Sequence, residues 1–221
     1  DPQGNTTSGL GMEVDDKSIY EVIMGRMKLT DVMEETEFKN LFIAGSDVRL
    51  ANAALELVEV EKREYRLKTA VQSVQQDFDF IFIDCPPSLG LLTINALGAA
   101  DSVLIPIQCE YYALEGVASL MNTISRVKKT INPHLEIEGV LLTMLDGRTN
   151  LGLQVVDEVK KHFKKQVYAT VIPRSVRLGE APSHGEPIHV YDKRSAGCVA
   201  YVNLAKEVLK RNNIKVKEFK L

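Results

Sequence analysis

Uninterrupted apolar runs alternate along this chain with segments of helical spacing. The runs are apolar on both faces, which is typical of central strands in a parallel sheet. Alternation of this kind predicts an α/β fold with right-handed βαβ units and one parallel sheet covered by helices on both faces. The predicted strands are residues 41–44, 80–84, 103–106, 140–143 and 167–172. The predicted helices are residues 65–76, 114–131, 151–163 and 196–209.

The composition excludes several classes of protein. With 45% hydrophobic and 26% charged residues, the 221-residue chain is typical of a soluble globular protein. Its formal net charge of −3 gives no global basic signal, so nucleic-acid binding requires a local patch. The three cysteines, Cys85, Cys109 and Cys198, are too far apart for a metal motif and fit a reducing cytoplasm. No apolar run is long enough to span a membrane.

The chain contains no convincing linker, so we predict a single domain over residues 1–221. The Lys-rich tail, residues 210–221, is expected to fray.

Acidic residues stand where two buried strands are expected to end. Asp1 opens the loop Asp-Pro-Gln-Gly-Asn-Thr-Thr, and Asp84 closes the run 80–84 before Cys-Pro-Pro. Ligands of open α/β sheets bind beyond the carboxyl ends of the strands. An aspartate after four apolar residues is typical of a Walker B strand, which holds Mg²⁺ through water. A turn cap is the competing interpretation of Asp1, and strand termination alone explains Pro106 and Pro173 equally well.

The phosphate-binding loop that a nucleotide site requires, G-x-x-x-x-G-K-[ST], does not occur in residues 1–221. Either the nucleotide interpretation is wrong or the sequence begins after that loop. We expect the second, and therefore a partial chain.

Five ordered segments resemble the ParA/Soj-type chromosome-partitioning ATPases. They are residues 1–11, 79–90, 106–116, 141–150 and 171–183. The resemblance implies a deviant P-loop NTPase fold that here lacks its first strand, its P-loop and its first helix. It also implies that adjoining strands lose hydrogen-bond partners, and that this chain by itself binds Mg-ATP poorly and is inactive.

The resemblance also assigns roles at the site. Asp1 would position the water that attacks ATP, and Asp84 would hold Mg²⁺ through a water molecule. Pro173 and Arg174 would lie against the adenine. In this family ATP joins two subunits face to face, so we expect a nucleotide-dependent homodimer. The expected switch and dimer residues are Pro2, Gln3, Gly4, Pro86, Pro87, Glu110 and Glu115.

DNA binding is the second function that the resemblance implies. The arginines responsible match Arg148 and Arg177, and two per subunit would place four on a dimer face for contact with phosphates. Lys193 and Arg194 could extend this patch, although we favour a solvated helix start as their explanation.

The expected function is that of an ATPase of chromosome or plasmid partitioning that binds DNA without sequence preference. A ParB-type partner would stimulate it, and it would lie on the bacterial nucleoid in the cytoplasm, without membrane binding. One alternative is a MinD-like membrane-associated regulator of cell division, but residues 213–221 alternate with period two rather than with the period of an amphipathic helix. The other alternative is a non-catalytic scaffold.

Overall fold

The computed structural model describes residues 1–110 and 113–215, with side chains at all of these except 113–115. Backbone contacts divide the chain into two compact units. Unit 1 comprises residues 1–101 and 122–135, and unit 2 comprises residues 102–121 and 136–221. The prediction of a single domain stays a prediction, because two units of this kind can belong to one domain. The last six residues of the predicted frayed tail lie outside the described residues.

Unit 1 is built from short helices and one two-stranded sheet. In chain order its elements are α1 (Asn5–Ser8), α2 (Ile19–Ile23), α3 (Leu29–Val32), β1 (Met33–Glu35), β2 (Phe42–Ala44), α4 (Ala53–Glu56), α5 (Arg66–Gln72) and α6 (Leu91–Ala99). Asn95, which is fully buried, joins α5 to α6, since its side chain accepts from the Leu67 backbone (3.2 Å) and donates to the Arg63 and Leu91 carbonyls (2.9 and 3.1 Å).

Unit 2 contains a parallel sheet flanked by longer helices. Its elements are β3 (Ser102–Gln108), the first half of α7 (Ala113–Thr130), β4 (Glu136–Leu145), α8 (Asn150–Phe163), β5 (Val167–Pro173), α9 (Val176–Glu180), α10 (Ile188–Tyr191) and α11 (Ala196–Arg211). The strand order is β3-β4-β5, all parallel. Ile105 and Ile107 of β3 pair with Val140 and Leu142 of β4, and all four are at most 2% exposed. The predicted α/β fold with a parallel sheet is confirmed.

Side chains of α11 form hydrogen bonds with the backbone along the outer edge of β5. Glu207 accepts hydrogen bonds from the backbone N–H groups of Ala169 (2.8 Å) and Thr170 (2.9 Å). Arg211 donates to the carbonyl of Val167 (3.0 Å) and lies 3.8 Å from the centre of the Tyr168 ring. Backbone groups of β5 that β4 does not pair are thereby satisfied by side chains.

Two of the five strand predictions are wrong, the first only in its pairing, because residues 42–44 do form a strand, β2. Residues 41–44 were expected in the parallel sheet, but β2 pairs antiparallel with β1, Glu34 opposite Ile43. Only residues 36–41 separate these two strands, and such a connection is too short for the crossover that a parallel pair needs.

The second wrong strand is residues 80–84, which are assigned to no strand. Within the described residues this segment has no ladder partner, and a strand requires one to satisfy its backbone. Ile81 is 40% and Phe82 77% exposed, and the rings of Phe80 and Phe82 stack with their centres 5.9 Å apart.

Amphipathic spacing predicts the long helices well. The expected helices 114–131, 151–163 and 196–209 correspond to α7, α8 and α11, and 65–76 contains the shorter α5. The side chains of Thr149 and Ser195 accept from the backbone of Gly152 and Cys198 and so cap the starts of α8 and α11. Across residues 1–110 and 113–215, no helix combines the length and the apolar character that a membrane span requires.

Candidate functional site

In unit 1 the structure brings the two predicted acidic residues together. The terminal ammonium group of Asp1 donates to the carbonyl oxygen of Asp84 at 3.2 Å. The hydroxyl of Thr6 donates to carboxylate oxygen Oδ2 of Asp84 at 2.9 Å. Asp84 is thus held through its main chain and its side chain by one short segment, residues 1–7, which we call the amino-terminal loop. Sequence reasoning found Asp1 and Asp84 but missed Thr6.

The amino-terminal loop has a conformation that its sequence requires. Oδ1 of Asp1 accepts from the backbone N–H of Gln3 (3.0 Å), and the Asp1 carbonyl accepts from that of Gly4 (3.1 Å). The competing interpretation of Asp1 as a turn cap is therefore realised in the geometry. Gly4 has a left-handed φ of +64°, and a Cβ there would lie 2.8 Å from the carbonyl oxygen of Ser46. Pro2, the other predicted switch residue here, is half-buried.

Ser46 anchors the same loop from a second direction. Its hydroxyl donates to the carbonyl oxygen of Asp1 (2.6 Å), and its backbone N–H donates to the hydroxyl of Thr7 (3.2 Å). Thr7 is 5% exposed, so this second bond is protected from water. Sequence reasoning missed Ser46; the signal available was its place directly after Gly45 at the end of β2.

The segment after Asp84 carries the predicted switch prolines. Pro86 is half-buried and Pro87 is exposed. Burial raises the pKa of the thiol of Cys85, so the thiol is protonated at neutral pH. Burial therefore disfavours a reactive thiolate at Cys85.

The donor set of this corner suits Mg²⁺ bound together with phosphate. The carboxylates of Asp1 and Asp84 and the hydroxyl of Thr6 are hard oxygen donors, which Mg²⁺ prefers. Among the described residues no group of three or more His, Cys, Asp or Glu side chains is placed to hold a metal alone. Mg²⁺ in nucleotide sites is usually bound by one or two carboxylates, waters and phosphates, so the arrangement fits that mode.

In unit 2 charged side chains follow the carboxyl ends of all three parallel strands. Glu110 follows β3, Asp146 follows β4 and Arg174 follows β5. Arg174 forms an ion pair with Glu110, and its backbone N–H donates to the carbonyl of Leu145 at 3.0 Å. Because both side chains are about half exposed (51% and 52%), solvent screens this pair. The side chain of Glu115, in the first turn of α7, lies outside the described residues.

Arg148, the first predicted DNA contact, is held by a neighbouring carboxylate. Its Nε and Nη2 donate to the two oxygens of Asp146 at 2.9 and 2.8 Å, and its backbone N–H donates at 3.1 Å. These bonds lower the pKa of Asp146 to about 2. The side chain of Arg148 is nevertheless 89% exposed, so a phosphate has access to it.

Arg177, the second predicted DNA contact, lies between two acidic residues. Its Nη1 donates to Glu180 at 2.9 Å, and its Nε lies 3.5 Å from the carboxylate of Asp192. Glu180 also accepts from the hydroxyl of Tyr191 at 3.1 Å. The arginine side chain remains 56% exposed. Both predicted arginines therefore combine access to solvent with a fixed orientation.

The exposed residues Lys193 and Arg194 come just before α11. The Arg194 backbone N–H donates to Asp192 and the Ser195 side chain caps the helix, which is the geometry of a solvated helix start.

An open, mostly apolar groove of about 760 Å³ lies between the ends of β4 and β5 and the start of α11. Its lining residues are Leu145, Gly147, Pro173, Ala196, Val199 and Asn203, with others of β5 and α11. Pro173 thus lines a shallow, open groove. Arg174 is not among the lining residues.

Known proteins resemble the chain over most of its length. The model of a family described as an AAA domain matches residues 1–137. The sporulation initiation inhibitor protein Soj of Bacillus subtilis (strain 168) is 58% identical over 210 residues, which cover 94% of this chain and 83% of that protein. The chromosome partitioning protein ParA of Myxococcus xanthus (strain DK1622) is 50% identical over 217 residues, covering 97% of this chain and 77% of that protein.

Among solved structures, the cobyrinic acid a,c-diamide synthase of Mycobacterium smegmatis with bound ATP analog and magnesium is similar. It is 34% identical with a TM-score of 0.81, and the match covers 100% of this chain and 84% of that chain.

Proposed function

Because this chain belongs to the ParA/Soj family of chromosome-partitioning ATPases, we propose that it is an ATP-dependent switch that dimerises and binds DNA. The observation that carries the proposal is the hydrogen-bonded corner of Asp1, Thr6 and Asp84 in unit 1. Phosphoryl transfer needs chiefly orientation of the attacking water and neutralisation of charge, and this corner offers two carboxylates for those tasks.

We assign ATP and Mg²⁺ as the ligands of this switch. The Mycobacterium smegmatis structure contains an ATP analog and magnesium, and the oxygen donors at this corner suit the same metal. Asp1 orients the attacking water, and Asp84 holds a water of the metal's shell. The metal, when bound, neutralises charge on the phosphates.

The groove of unit 2 is the proposed place for the adenine ring. Its apolar lining includes Pro173, Leu145 and Val199, and flat apolar walls suit a purine. Arg174 lies directly after Pro173 and pairs with Glu110, so it fixes the rim rather than the floor of the groove. Exchange of Pro173 for alanine is expected to weaken nucleotide binding less than loss of Asp84.

DNA contact is assigned to Arg148 and Arg177. Each arginine side chain is more than half exposed, and each is held by carboxylates that fix its direction. A dimer carries four of these arginines, two from each subunit. DNA binding should therefore depend on nucleotide, because nucleotide controls dimerisation, and on salt, because the arginines contact phosphates. The proposed partner that stimulates hydrolysis is a ParB-type protein, and the proposed location is the bacterial nucleoid.

The phosphate-binding loop motif does not occur in residues 1–221, so we expect this chain tested by itself to bind Mg-ATP weakly. Functional tests use the protein as its gene encodes it.

Retention of non-specific DNA, measured with ATP, ADP and no nucleotide across a salt series, tests the proposal. We expect retention with ATP alone, weakening as salt rises. Arg148→Ala and Arg177→Ala should each reduce affinity by about tenfold or more and flatten the salt dependence. Arg126→Ala is the matched control, since Arg126 is an exposed arginine on α7 outside the assigned contacts, and its affinity should equal wild type.

Three results would contradict the proposal. Equal retention with ATP, ADP and no nucleotide would remove the switch, and losses as large in Arg126→Ala would show a general charge effect instead of two specific contacts. Retention under no condition would move the assignment towards a membrane or scaffold role.

A further inference from the structure

We propose that Thr6 is a positioning residue that fixes the carboxylate of Asp84 for its metal-bound water. This inference rests on the proposed function, because it concerns the same site. Its basis is the hydrogen bond of 2.9 Å from the Thr6 hydroxyl to Oδ2 of Asp84, between residues 78 positions apart in the chain. A side-chain bond across that separation is set by the fold, not by local sequence.

The backbone on both sides of Thr6 is anchored, so the hydroxyl has a defined place. On one side, Asp1 donates to the Asp84 carbonyl (3.2 Å) and accepts from the Ser46 hydroxyl (2.6 Å). On the other side, the buried Thr7 accepts from the Ser46 backbone (3.2 Å). Gly4 permits the turn between these anchors through its left-handed φ. The loop therefore presents Thr6 to Asp84 from a fixed scaffold.

The side chain of Asp84 is exposed, so little besides the Thr6 hydrogen bond restrains its carboxylate in this structure. A carboxylate free to rotate would present its oxygens in many directions. With Oδ2 engaged by Thr6, the other oxygen, Oδ1, keeps one orientation towards a water of the metal's shell. Partners that orient metal-binding groups in this way typically change metal affinity by about 10- to 100-fold when removed.

Ser8 supplies an internal comparison. It lies in the same helix, α1, and also carries an exposed hydroxyl, but that hydroxyl donates only to carbonyls of its own turn, those of Gly4 (3.3 Å) and Asn5 (3.4 Å). Loss of the Ser8 hydroxyl therefore removes a similar bond without touching Asp84. Thr6→Ser retains the donor, and Thr6→Val retains the branched shape without the donor.

The experiment uses the gene-encoded protein and the variants Thr6→Val, Thr6→Ala, Thr6→Ser and Ser8→Ala. Binding of Mn²⁺ in the presence of a non-hydrolysable ATP analogue is followed by electron paramagnetic resonance, and the Mg²⁺ concentration for half-maximal hydrolysis is measured in parallel. We expect Thr6→Val and Thr6→Ala to weaken metal binding by about tenfold in both measurements. Thr6→Ser should stay within about twofold of wild type and Ser8→Ala should equal it. Circular dichroism checks that each variant is folded; because Thr6 is exposed, at least one hydroxyl-free variant is expected to fold.

The outcomes separate this inference from the proposed function. Wild-type metal affinity in folded Thr6→Val or Thr6→Ala would overturn the inference while leaving the ATPase assignment intact. An equal loss in Thr6→Ser would also overturn it, since the hydroxyl would then not be the cause. No metal-dependent binding of the ATP analogue by the wild-type protein would overturn the proposed function, and the inference with it.

Discussion

Two apolar runs of similar character, residues 80–84 in unit 1 and β3 in unit 2, have different structures. Within β3, Ile105 and Ile107 are each 2% exposed and pair with β4 along its length. In residues 80–84, Ile81 is 40% and Phe82 77% exposed, and no strand is formed. An apolar run therefore becomes a strand only where a neighbour completes its hydrogen bonds, because the apolar side chains alone do not satisfy the backbone.

The same difference decides how functional side chains are held. Arg174 stands at the end of a paired strand, and its backbone continues the ladder to Leu145. Asp84 stands at the end of an unpaired segment, and its position depends on bonds from Asp1 and Thr6. We infer that Asp84 responds to changes in the amino-terminal loop, whereas the ends of the unit 2 strands do not need such support.

The largest expected effect is on the free energy of unfolding, which a substitution in β3 should lower far more than one in residues 80–84. Ile105→Ala removes fully buried methyl groups from the sheet and should lower the free energy of unfolding by about 2 to 5 kcal/mol. Phe82→Ala removes a ring that is 77% exposed and should change it by no more than about 0.5 kcal/mol. Urea unfolding of the 221-residue chain, followed by circular dichroism, measures both.

A matched control is Leu153→Ala on α8, an apolar side chain that is 47% exposed within the same unit as Ile105. It should lose far less stability than Ile105→Ala. A loss above about 1 kcal/mol in Phe82→Ala would mean that this run is buried in solution, and the contrast between the two runs would disappear.

The sequence predicts elements that depend on local signals better than elements that depend on pairing between distant residues. The helices α7, α8 and α11 were predicted within two residues at each end because amphipathic spacing is a local signal. The helix α6 was missed because its residues are apolar or small around the whole circumference. The strand at 80–84 was wrong because pairing depends on residues distant in the chain.

Prediction of the candidate site has the same limit. The motifs around Asp1 and Asp84 identify two acidic residues, and the structure brings their main chains into contact. The bonds of Thr6 and Ser46 span 78 and 45 positions, so their partners could not be assigned from sequence, although the place of Ser46 after Gly45 marks it as a strand-end residue. The ion pair of Arg174 with Glu110 likewise joins the ends of two strands that are not sequence neighbours.

A smaller effect tests why β5 stays a strand although β4 is its sole described strand neighbour. Burial would raise the pKa of Glu207, but the backbone N–H groups of Ala169 and Thr170 and the side chain of Arg211 outweigh it and hold the pKa below its ordinary value. Glu207→Gln should therefore lower the free energy of unfolding by about 1 to 2 kcal/mol at neutral pH.

The pH dependence of this effect has a definite sign. A depressed carboxyl pKa stabilises the folded state above the unfolded value, about 4.3 for glutamate, and the stabilisation is lost as the pH falls through the folded value. The difference in the free energy of unfolding between wild type and Glu207→Gln should thus be largest at pH 7 and should decrease below about pH 4. The control is Glu158→Gln, because Glu158 forms an exposed ion pair with Lys161. It should change the free energy of unfolding by less than about 0.5 kcal/mol at any pH. A pH-independent loss in Glu207→Gln would show that shape, not charge, holds the edge.

The smallest expected effect is on DNA affinity and concerns Asp146, which follows the paired strand β4, in contrast to Asp84, which follows an unpaired segment. The carboxylate of Asp146 is paired with the arginine that we assign to DNA and repels phosphate, so Asp146→Asn should raise ATP-dependent DNA affinity of the gene-encoded protein by about fivefold at low salt. Hydrogen bonds from Arg148 lower the pKa of Asp146 to about 2, which keeps it charged throughout the working range. The ratio of variant to wild-type affinity should therefore be constant from pH 5 to 8.

The control for a general change in net charge is Asp157→Asn, which removes an exposed carboxylate on α8. A ratio that falls towards one at pH 5 would show that Asp146 takes up a proton there, and a reduced affinity would show that the carboxylate serves mainly to aim Arg148 at DNA, as Thr6 is proposed to aim Asp84.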